Sequence, residues 1–561
     1  MIEPQSEALR EVPAETQEQT NAGVARATGV VALGNITSRV LGLAREIVLT
    51  NLFGASRAVD AFNVAIIVPK AIYDLLIGGH VNSALVPVLS EVASRQGRRA
   101  LWQLVSLLCS VLIVLLALIV LLLEAFAAQV VSVVGGGFDT QTLRLATDLL
   151  RLTAPALIFL GLFAVLSGAL YALREFTWPA FAVTVFNGSI VVIALLFAPP
   201  VQLQPTLQAN GLIALRSGRP ETGIVVVALG WLVGALAQMA LQFPGMKGAR
   251  LRLTLNWRHP ALRQIVKLYA PVMFSLVMDT LVIRTFSYNL ASRTGEGSIG
   301  YMNWATTLIQ FPQGLVATAI SIAILPTLAR QAAVIAQEDQ RAFKDTLGLG
   351  LRLAISLILP ATIGLFVLAT PIVALLFQHG AFNAHDTAMT ALALRLYLIG
   401  LPFAALDLLL VYAFYARQDT LTPALIGVLS LGLYMLTAVA LFPRFGLFSL
   451  MIADSLKHIV HAAVSAFLLT RRLDGFSGQH IALTALKTSA AAGAMGVVAA
   501  LAAGWLAQSF GSATLVQEIV LVSLSGGLGS VVFLALAYLL RLHELRWMGG
   551  LLKKRLKGNG R

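Results

Sequence analysis

Apolar residues dominate this chain in long runs separated by short polar stretches, and the run length decides their meaning. A membrane-crossing helix needs about 20 mostly apolar residues. Segments that meet this length lie near 28–53, 59–83, 101–125, 148–172, 178–199, 222–243 and 265–290, then near 301–326, 347–370, 387–415, 421–442, 446–470, 481–507 and 515–540. The pattern predicts an all-α polytopic membrane protein with about 14 transmembrane helices. An even number places both ends of the chain on one side. With the N-terminus in the cytoplasm, the inside loops collect Arg95, Arg98, Arg99, Arg174, Lys247, Arg250, Arg252, Arg258, Arg263, Lys267, Arg330, Arg341, Lys344, Arg417, Arg471 and Arg472. The outside loops hold Arg57, Arg144, Arg216, Arg219, Arg293 and Arg444. Basic residues retain loops in the cytoplasm, so both termini are expected there.

The pattern also repeats. Gly137-Phe138-Asp139 returns as Ala381-Phe382-Asn383, Tyr171-Ala172 as Tyr415-Ala416, Glu175 as Asp419, and Pro179-Ala180 as Pro423-Ala424, all at an offset of 244. Ala84-Leu85-Val86-Pro87-Val88-Leu89 is echoed by Ala323-Ile324-Leu325-Pro326-Thr327-Leu328. Two pseudo-symmetric six-helix halves, 28–243 and 265–470, follow from these matches. A basic cytoplasmic linker (244–264) joins them, and two additional helices occupy 471–540. A polar cytoplasmic tail (1–27) precedes the bundle and a basic cytoplasmic tail (541–561) follows it. An even number of spans per repeat makes the halves parallel, an arrangement in which cargo sits between them near the midplane.

Composition adds little and excludes more. Charged residues make up 12% of the 561 residues and the mean hydropathy is +0.83, against about 25% charged in a soluble domain. The net charge of +14 reads as loop retention rather than nucleic-acid binding, since no nucleic-acid module is visible. The single cysteine, Cys109, allows no internal disulfide. The N-terminal tail has no apolar core and reads as soluble rather than as a signal peptide. There is no phosphate-binding loop of the ATPase type, and Gly135-Gly136-Gly137 reads as an inter-span loop. Asn187-Gly188-Ser189 fits a glycosylation sequon but lies within a span, where it is inert.

Charges inside the spans carry the candidate chemistry, because each costs roughly 2.5–3.5 kcal/mol at the bilayer centre. The first span holds Arg39, Arg45 and Glu46. The two arginines lie within roughly 120° on the helix surface, as for a face lining a wet, basic cavity suited to an anionic cargo. Glu46 follows Arg45 directly and is expected to point elsewhere and pair with another helix. Asp60 opens the second span, with Arg57 as its expected interfacial partner. Lys70 and Asp74 sit at i, i+4 near Pro69 and Gly78-Gly79, a spacing that lets opposite charges meet. Asp279 and Arg284 lie on the seventh span, the counterpart of the first. Asp279 is a candidate for a coupling cation or proton, and Arg284 for the basic cavity. Arg352 is expected to snorkel from a cytoplasmic end. Arg395 and Asp407 lie deeper, where pairing across helices is open to them. Asp454, Lys457, His458 and His461 form a mixed polar group. His-x-x-His alone is a weak metal signal, and neither a metal site nor a cofactor is expected.

Ser38-Arg39-Val40-Leu41-Gly42-Leu43-Ala44-Arg45-Glu46, Phe53-Gly54-Ala55 and Asp60-Ala61-Phe62 closely resemble the opening of MurJ/MviN-type lipid II flippases. Further matches are Ala84-Leu85-Val86-Pro87, Phe311-Pro312-Gln313-Gly314, Ile324-Leu325-Pro326, Leu376-Phe377-Gln378-His379-Gly380-Ala381-Phe382 and Phe414 through Pro423. The resemblance implies a fourteen-span member of the multidrug/oligosaccharidyl-lipid/polysaccharide exporter superfamily in the bacterial inner membrane. It also implies a central cationic cavity and coupling to membrane potential. The implied cargo is undecaprenyl-pyrophosphate-linked disaccharide-pentapeptide, moved to the outer leaflet. Arg39, Arg45 and Asp60 carry over. Tyr73 and Asp74 stand where the family commonly has an Arg pair, Gly78 where it often has an acidic residue, and Thr306 and Thr307 where it often has a basic one. Lys70 and Arg284 are candidates to compensate. The expected substrate-binding set is therefore Arg39, Arg45, Glu46, Asp60, Lys70 and Arg284 in a monomer surrounded by membrane lipids. Other readings are a flippase for a different polyprenyl-linked saccharide, a cation-coupled exporter of the same superfamily, and a non-transporting scaffold.

Overall fold

A computed structural model describes residues 14–77, 80–202, 215–254, 278–334, 340–476, 478–511, 514–542 and 544. The first half comprises α1 (Ala14–Phe53), α2 (Arg57–Ile77), α3 (His80–Ala125), α4 (Ala127–Val134), α5 (Thr140–Thr153), α6 (Ala156–Ala172), α7 (Thr177–Ala180), α8 (Ala182–Phe197) and α9 (Pro220–Ala240). The helical path of α3 breaks at Gly97. A small antiparallel pair, β1 (Pro200–Gln202) and β2 (Leu215–Ser217), lies between α8 and α9. The second half opens with a π-helical segment, Met278–Ile283, that runs into α10 (Arg284–Ser292). There follow α11 (Ser298–Pro312), a second π segment (Gln313–Thr318), α12 (Ala319–Val334), α13 (Arg341–Val367), α14 (Ala369–Phe377), α15 (Ala384–Ala416), α16 (Leu421–Phe445) and α17 (Phe448–Arg472). The last two helices are α18 (Ile481–Phe510) and α19 (Leu515–Leu539).

Among the described residues nine helices are long and apolar enough to cross a membrane, or ten if the pair Ser298–Pro312 and Val316–Ala332, bent by 42°, is one span. The chain is thus a nearly all-α polytopic membrane protein. Helix runs over the described part of every stretch the hydrophobic pattern marked. Several fall short on composition or length: α1 and α2 carry the intramembrane charges, and α8 has 16 residues. Much of the seventh predicted span and the whole linker 255–264 lie outside the described residues.

The sequence repeat has a physical counterpart. After α6, Arg174 adopts φ 62° and Glu175 N–H donates to Leu170 O; after α15, Gln418 adopts φ 59° and Asp419 N–H donates to Phe414 O. The same left-handed turn is therefore built twice, 244 residues apart. Asp139 caps α5 by accepting from Gln141 and Thr142, and Asn383 caps α15 in a capping box with Asp386. These caps satisfy the free N–H groups that begin each helix.

Packing follows membrane rules. Large apolar side chains such as Leu196, Val428, Leu436 and Leu501 are exposed, as expected where lipid replaces water. Close helix approach uses small residues: a Cβ at Gly234 on α9 would lie 2.9 Å from Phe186 O on α8, the geometry that small-xxx-small spacing with Gly230 permits. Trp231, between those glycines, meets Phe186 and Phe62 edge-on at 4.9 and 6.2 Å. This aromatic group joins α2, α8 and α9 and underlies the site described next.

The two halves are tied together where α1 turns into α2. Across the halves Ala381 N–H donates to Asn51 O at 2.8 Å, and within the first half Leu215 N–H donates to Asn51 Oδ1 at 3.0 Å. Arg57 N–H donates to Glu296 Oε1 at 3.0 Å. Gly137 N–H donates to Ser292 Oγ, and Asn289 Nδ2 to Val133 O. This end of the bundle is a polar seam of backbone and short side chains.

Candidate functional site: a cationic cavity between the halves

Below the seam lies a cavity of about 700 Å³, lined by α1, α2, α9, α10, α11, α15, α16 and α17. It collects Arg39, Arg45 and Glu46 from α1, Lys70 from α2 and Arg284 from α10. Charges legible one by one in the sequence thus share one cavity. Asp454, Lys457 and His458 from α17 line it too, with Tyr397 and Tyr434. Asn63, Asn303, Gln310 and Gln313 add neutral hydrogen-bonding groups.

Arg45 is held in place. Its Nη1 donates to Asn187 Oδ1 at 3.1 Å and its Nη2 to Glu46 Oε1 at 2.5 Å. The expectation that Glu46 turns to another helix is corrected: neighbouring side chains diverge by 100°, but the long arginine curls back to reach it. Asn187 is buried and also donates Nδ2 to Ser38 O at 3.4 Å. It is a positioning residue for Arg45, not merely an inert sequon. Arg39 reaches across to the second half, where its guanidinium lies over Gly314; a Cβ there would fall 2.7 Å from Nη2. The missing side chain at Gly314, within the Phe311-Pro312-Gln313-Gly314 motif, leaves room for that head group.

Asp60 is placed elsewhere. It does not line the cavity and is fully buried in the seam. Its two carboxylate oxygens accept from Gly297 N–H at 2.8 Å and Gly300 N–H at 3.1 Å. The interfacial Arg57 ion pair is therefore replaced by a helix cap. The start of α11 offers unsatisfied N–H groups and a positive dipole end, which the carboxylate meets directly. Tyr73, Asp74 and Asp279 have side chains outside the described residues, as do Gly78-Gly79 and the basic tail around Lys553. The Lys70–Asp74 and Asp279–Arg284 expectations therefore fall there too. Thr306 and Thr307 line the cavity, each hydroxyl donating to Asn303 O.

The other intramembrane charges find fixed partners. Arg352 is paired: its Nε meets Glu544 Oε1 at 2.6 Å and its Nη1 donates to Gln479 O. Arg395 donates to Phe366 O and Thr370 Oγ1. Lys457 Nζ meets Asp454 Oδ1 at 2.6 Å, and Asp407 meets His461 Nδ1 at 2.5 Å. Among the described residues no group of three His, Cys, Asp or Glu is arranged to hold a metal ion.

The sequence signals that could have found Asn187, Asn303, Gln310 and Gln313 are weak. Each is an uncharged amide in a greasy helix, distinguishable from a structural amide only by what it faces.

Helices from both halves around a cavity with arginine and lysine in its lining define a membrane transporter. The chain belongs to the family described as lipid II flippase MurJ, whose model matches residues 49–521. It is 33% identical over 433 residues to the lipid II flippase MurJ of Burkholderia cenocepacia, covering 75% of this chain and 79% of that one. It is 30% identical to the probable lipid II flippase MurJ of Haemophilus influenzae, with 78% and 84% covered. The probable lipid II flippase of Thermotoga maritima is 27% identical over 92% of this chain and 96% of its own. Among solved structures, a lipid II flippase MurJ in an inward closed conformation superposes with a TM-score of 0.70 at 22% identity, covering 91% of this chain and 98% of that one. An inward-facing multidrug resistance MATE family transporter superposes at 0.62 and 14% identity, covering 78% and 95%. The chain is accordingly a multi-pass protein of the bacterial inner membrane.

Proposed function

We propose that the chain is a lipid II flippase that carries the undecaprenyl-pyrophosphate-linked peptidoglycan precursor from the inner to the outer leaflet by alternating access. The observation that carries this reading is the gathering of Arg39, Arg45, Lys70 and Arg284 in one cavity of about 700 Å³ between the halves. A pyrophosphate brings concentrated negative charge into hydrocarbon, and guanidinium groups match it with forked hydrogen bonds. The volume is that of an ordinary ligand site, so the headgroup enters while the polyprenyl tail stays in lipid.

In this reading the fourteen helical stretches all cross the membrane and both termini are cytoplasmic. The seam at Asn51–Asp60 is then the outer gate, drawn closed, and the cavity faces inward. The halves would pivot as units with the proposed boundaries 28–243 and 265–470. The protein works as a monomer, without catalysis or nucleotide, drawing on membrane potential or on a cation at Asp279. Lys70 and Arg284 supply positive charge in place of the basic residues that Tyr73, Asp74, Thr306 and Thr307 replace.

The test is replacement of the flippase in a strain depleted of its own. The wild-type chain should sustain growth, and Arg39→Ala and Arg45→Ala should abolish it at unchanged membrane abundance. Normal growth with both variants would refute the reading.

A further inference from the structure

The second half holds a group of titratable side chains that the cationic wall does not need. On α17, Asp454 meets Lys457 Nζ at 2.6 Å and His458 Nε2 at 3.8 Å, and all three line the cavity. One turn further along, His461 Nδ1 meets Asp407 Oδ1 of α15 at 2.5 Å, and Ser465 Oγ donates to Asp407 Oδ1 at 3.4 Å. His461 and Asp407 are only 14% and 15% exposed. The two groups are near enough that the charges of Asp407 and His461 act on His458.

The difference between the two carboxylates is the informative point. Asp454 is matched by a lysine, a permanent cation at working pH. Asp407 has as its basic partner an imidazole, the side chain whose ordinary titration falls between about pH 5 and 8. A contact of 2.5 Å between a ring nitrogen and a carboxylate oxygen requires a proton between His461 Nδ1 and Asp407 Oδ1. A second proton can enter or leave at Nε2. With both imidazoles neutral, the two aspartates and Lys457 sum to one negative charge; with His461 protonated the group is neutral. A buried net charge is expensive, and one added proton would cancel it.

The permanent cations that share the cavity with Asp454, Lys457 and His458 are Arg39, Arg45, Lys70 and Arg284. On α15, Tyr415 lies near Asp407 and meets Tyr412 at 6.2 Å, while Tyr397 of α15 and Tyr434 of α16 lie near Asp454, with Lys457 5.6 Å from the Tyr434 ring centroid. On α13, Arg352 is engaged by Glu544 and Gln479, and Asp345 by Gln479. α12 carries Arg330, which is exposed, and α11 carries no charged residue.

We propose that the Asp407–His461 pair is a proton-binding site linked to occupation of the cavity by an anionic headgroup. The inference rests on the lipid II reading for the identity of that headgroup. Protonation removes a negative charge one helical turn from His458, which lines the cavity, so proton and headgroup favour one another. Linkage makes the effect reciprocal: binding the headgroup draws a proton from solvent onto His461 Nε2, and release returns it.

The test uses the full-length protein in lipid nanodiscs, titrated calorimetrically with lipid II in buffers of different ionisation enthalpy. The wild type should take up as much as about one proton per lipid near neutral pH, and its affinity should fall roughly tenfold between about pH 5.5 and pH 8. His461→Gln, which keeps a hydrogen bond to Asp407, should bind with neither the uptake nor the pH dependence. Asp407→Asn should lose both as well, and serves if the glutamine variant fails to fold. In His458→Gln the uptake should persist whatever its effect on affinity. Lipid II binding by the wild type without proton uptake would overturn the proposal and leave the flippase reading standing. Uptake lost in His458→Gln but kept in His461→Gln would overturn the assignment. Absence of lipid II binding at every pH would instead defeat the flippase reading, and the proposal with it.

Discussion

Replacing Asp60 by asparagine tests whether the seam is held by one carboxylate. The buried side chain offers one oxygen to Gly297 N–H and the other to Gly300 N–H. Asparagine keeps one acceptor and turns an NH2 group toward the remaining N–H, donor against donor. A hydrogen bond to a charged group contributes about 1.5–3 kcal/mol, and a buried donor left unsatisfied costs about 1–3 kcal/mol. A loss of roughly 3 kcal/mol would raise the population of an open seam about a hundredfold, since each 1.4 kcal/mol is a factor of ten. Ser56 provides the reporter, because its hydroxyl oxygen is buried in this seam. With Cys109 changed to Ala, the labelling rate of Ser56→Cys by a polar thiol reagent reads the open fraction. Asp60→Asn should accelerate that labelling by about two orders of magnitude. An unchanged rate in a folded protein would refute the view that Asp60 closes the seam.

Other expectations follow from the same geometry. Asn187→Leu removes the acceptor for Arg45 Nη1 and should slow translocation about tenfold, a loss of roughly 1.4 kcal/mol, with membrane abundance unchanged. Gly380→Ala places a Cβ 1.9 Å from Asn51 Oδ1 at φ 63° and should cost at least about 1–3 kcal/mol, seen as a lower thermal midpoint. Asp419 lies in the turn after α15. Burial works against its ionisation, but the Thr422 hydroxyl and N–H and the Arg472 guanidinium outweigh this and hold its carboxyl at about 2. The folded-state value is depressed, so the associated stability is complete above the ordinary carboxylate range and is lost as pH falls through about 2. Thermal unfolding of Asp419→Asn should therefore depend less on pH than the wild type between about pH 4 and pH 2. An equal acid sensitivity would count against the Thr422–Arg472 anchor.

What could be read from the sequence was whatever is expensive to place in lipid. Arg39, Arg45, Lys70 and Arg284 stand out because a charge in an apolar run needs a reason, and the cavity supplies it. The turns at Arg174 and Gln418 were visible through their flanking motifs, since a left-handed turn after a helix constrains the residues around it. What escaped were partnerships made by backbone or by neutral side chains. Asp60 finds two N–H groups some 240 residues away, and backbone leaves no mark in the sequence. Glu544 meets Arg352 across 192 residues, where nothing local distinguishes a snorkelling arginine from a paired one. Asn187 looked inert because an amide in a span has no preferred partner until a neighbouring helix presents one.

The central claim is tested most directly with the purified chain in sealed vesicles. Lipid II is placed in one leaflet, and its appearance in the other is followed with a membrane-impermeant reagent specific for the headgroup. The account predicts headgroup translocation by the wild type and loss of nearly all of it in Arg45→Ala. Translocation at the wild-type rate by Arg45→Ala, or none by the correctly folded wild type under an imposed membrane potential, would contradict it.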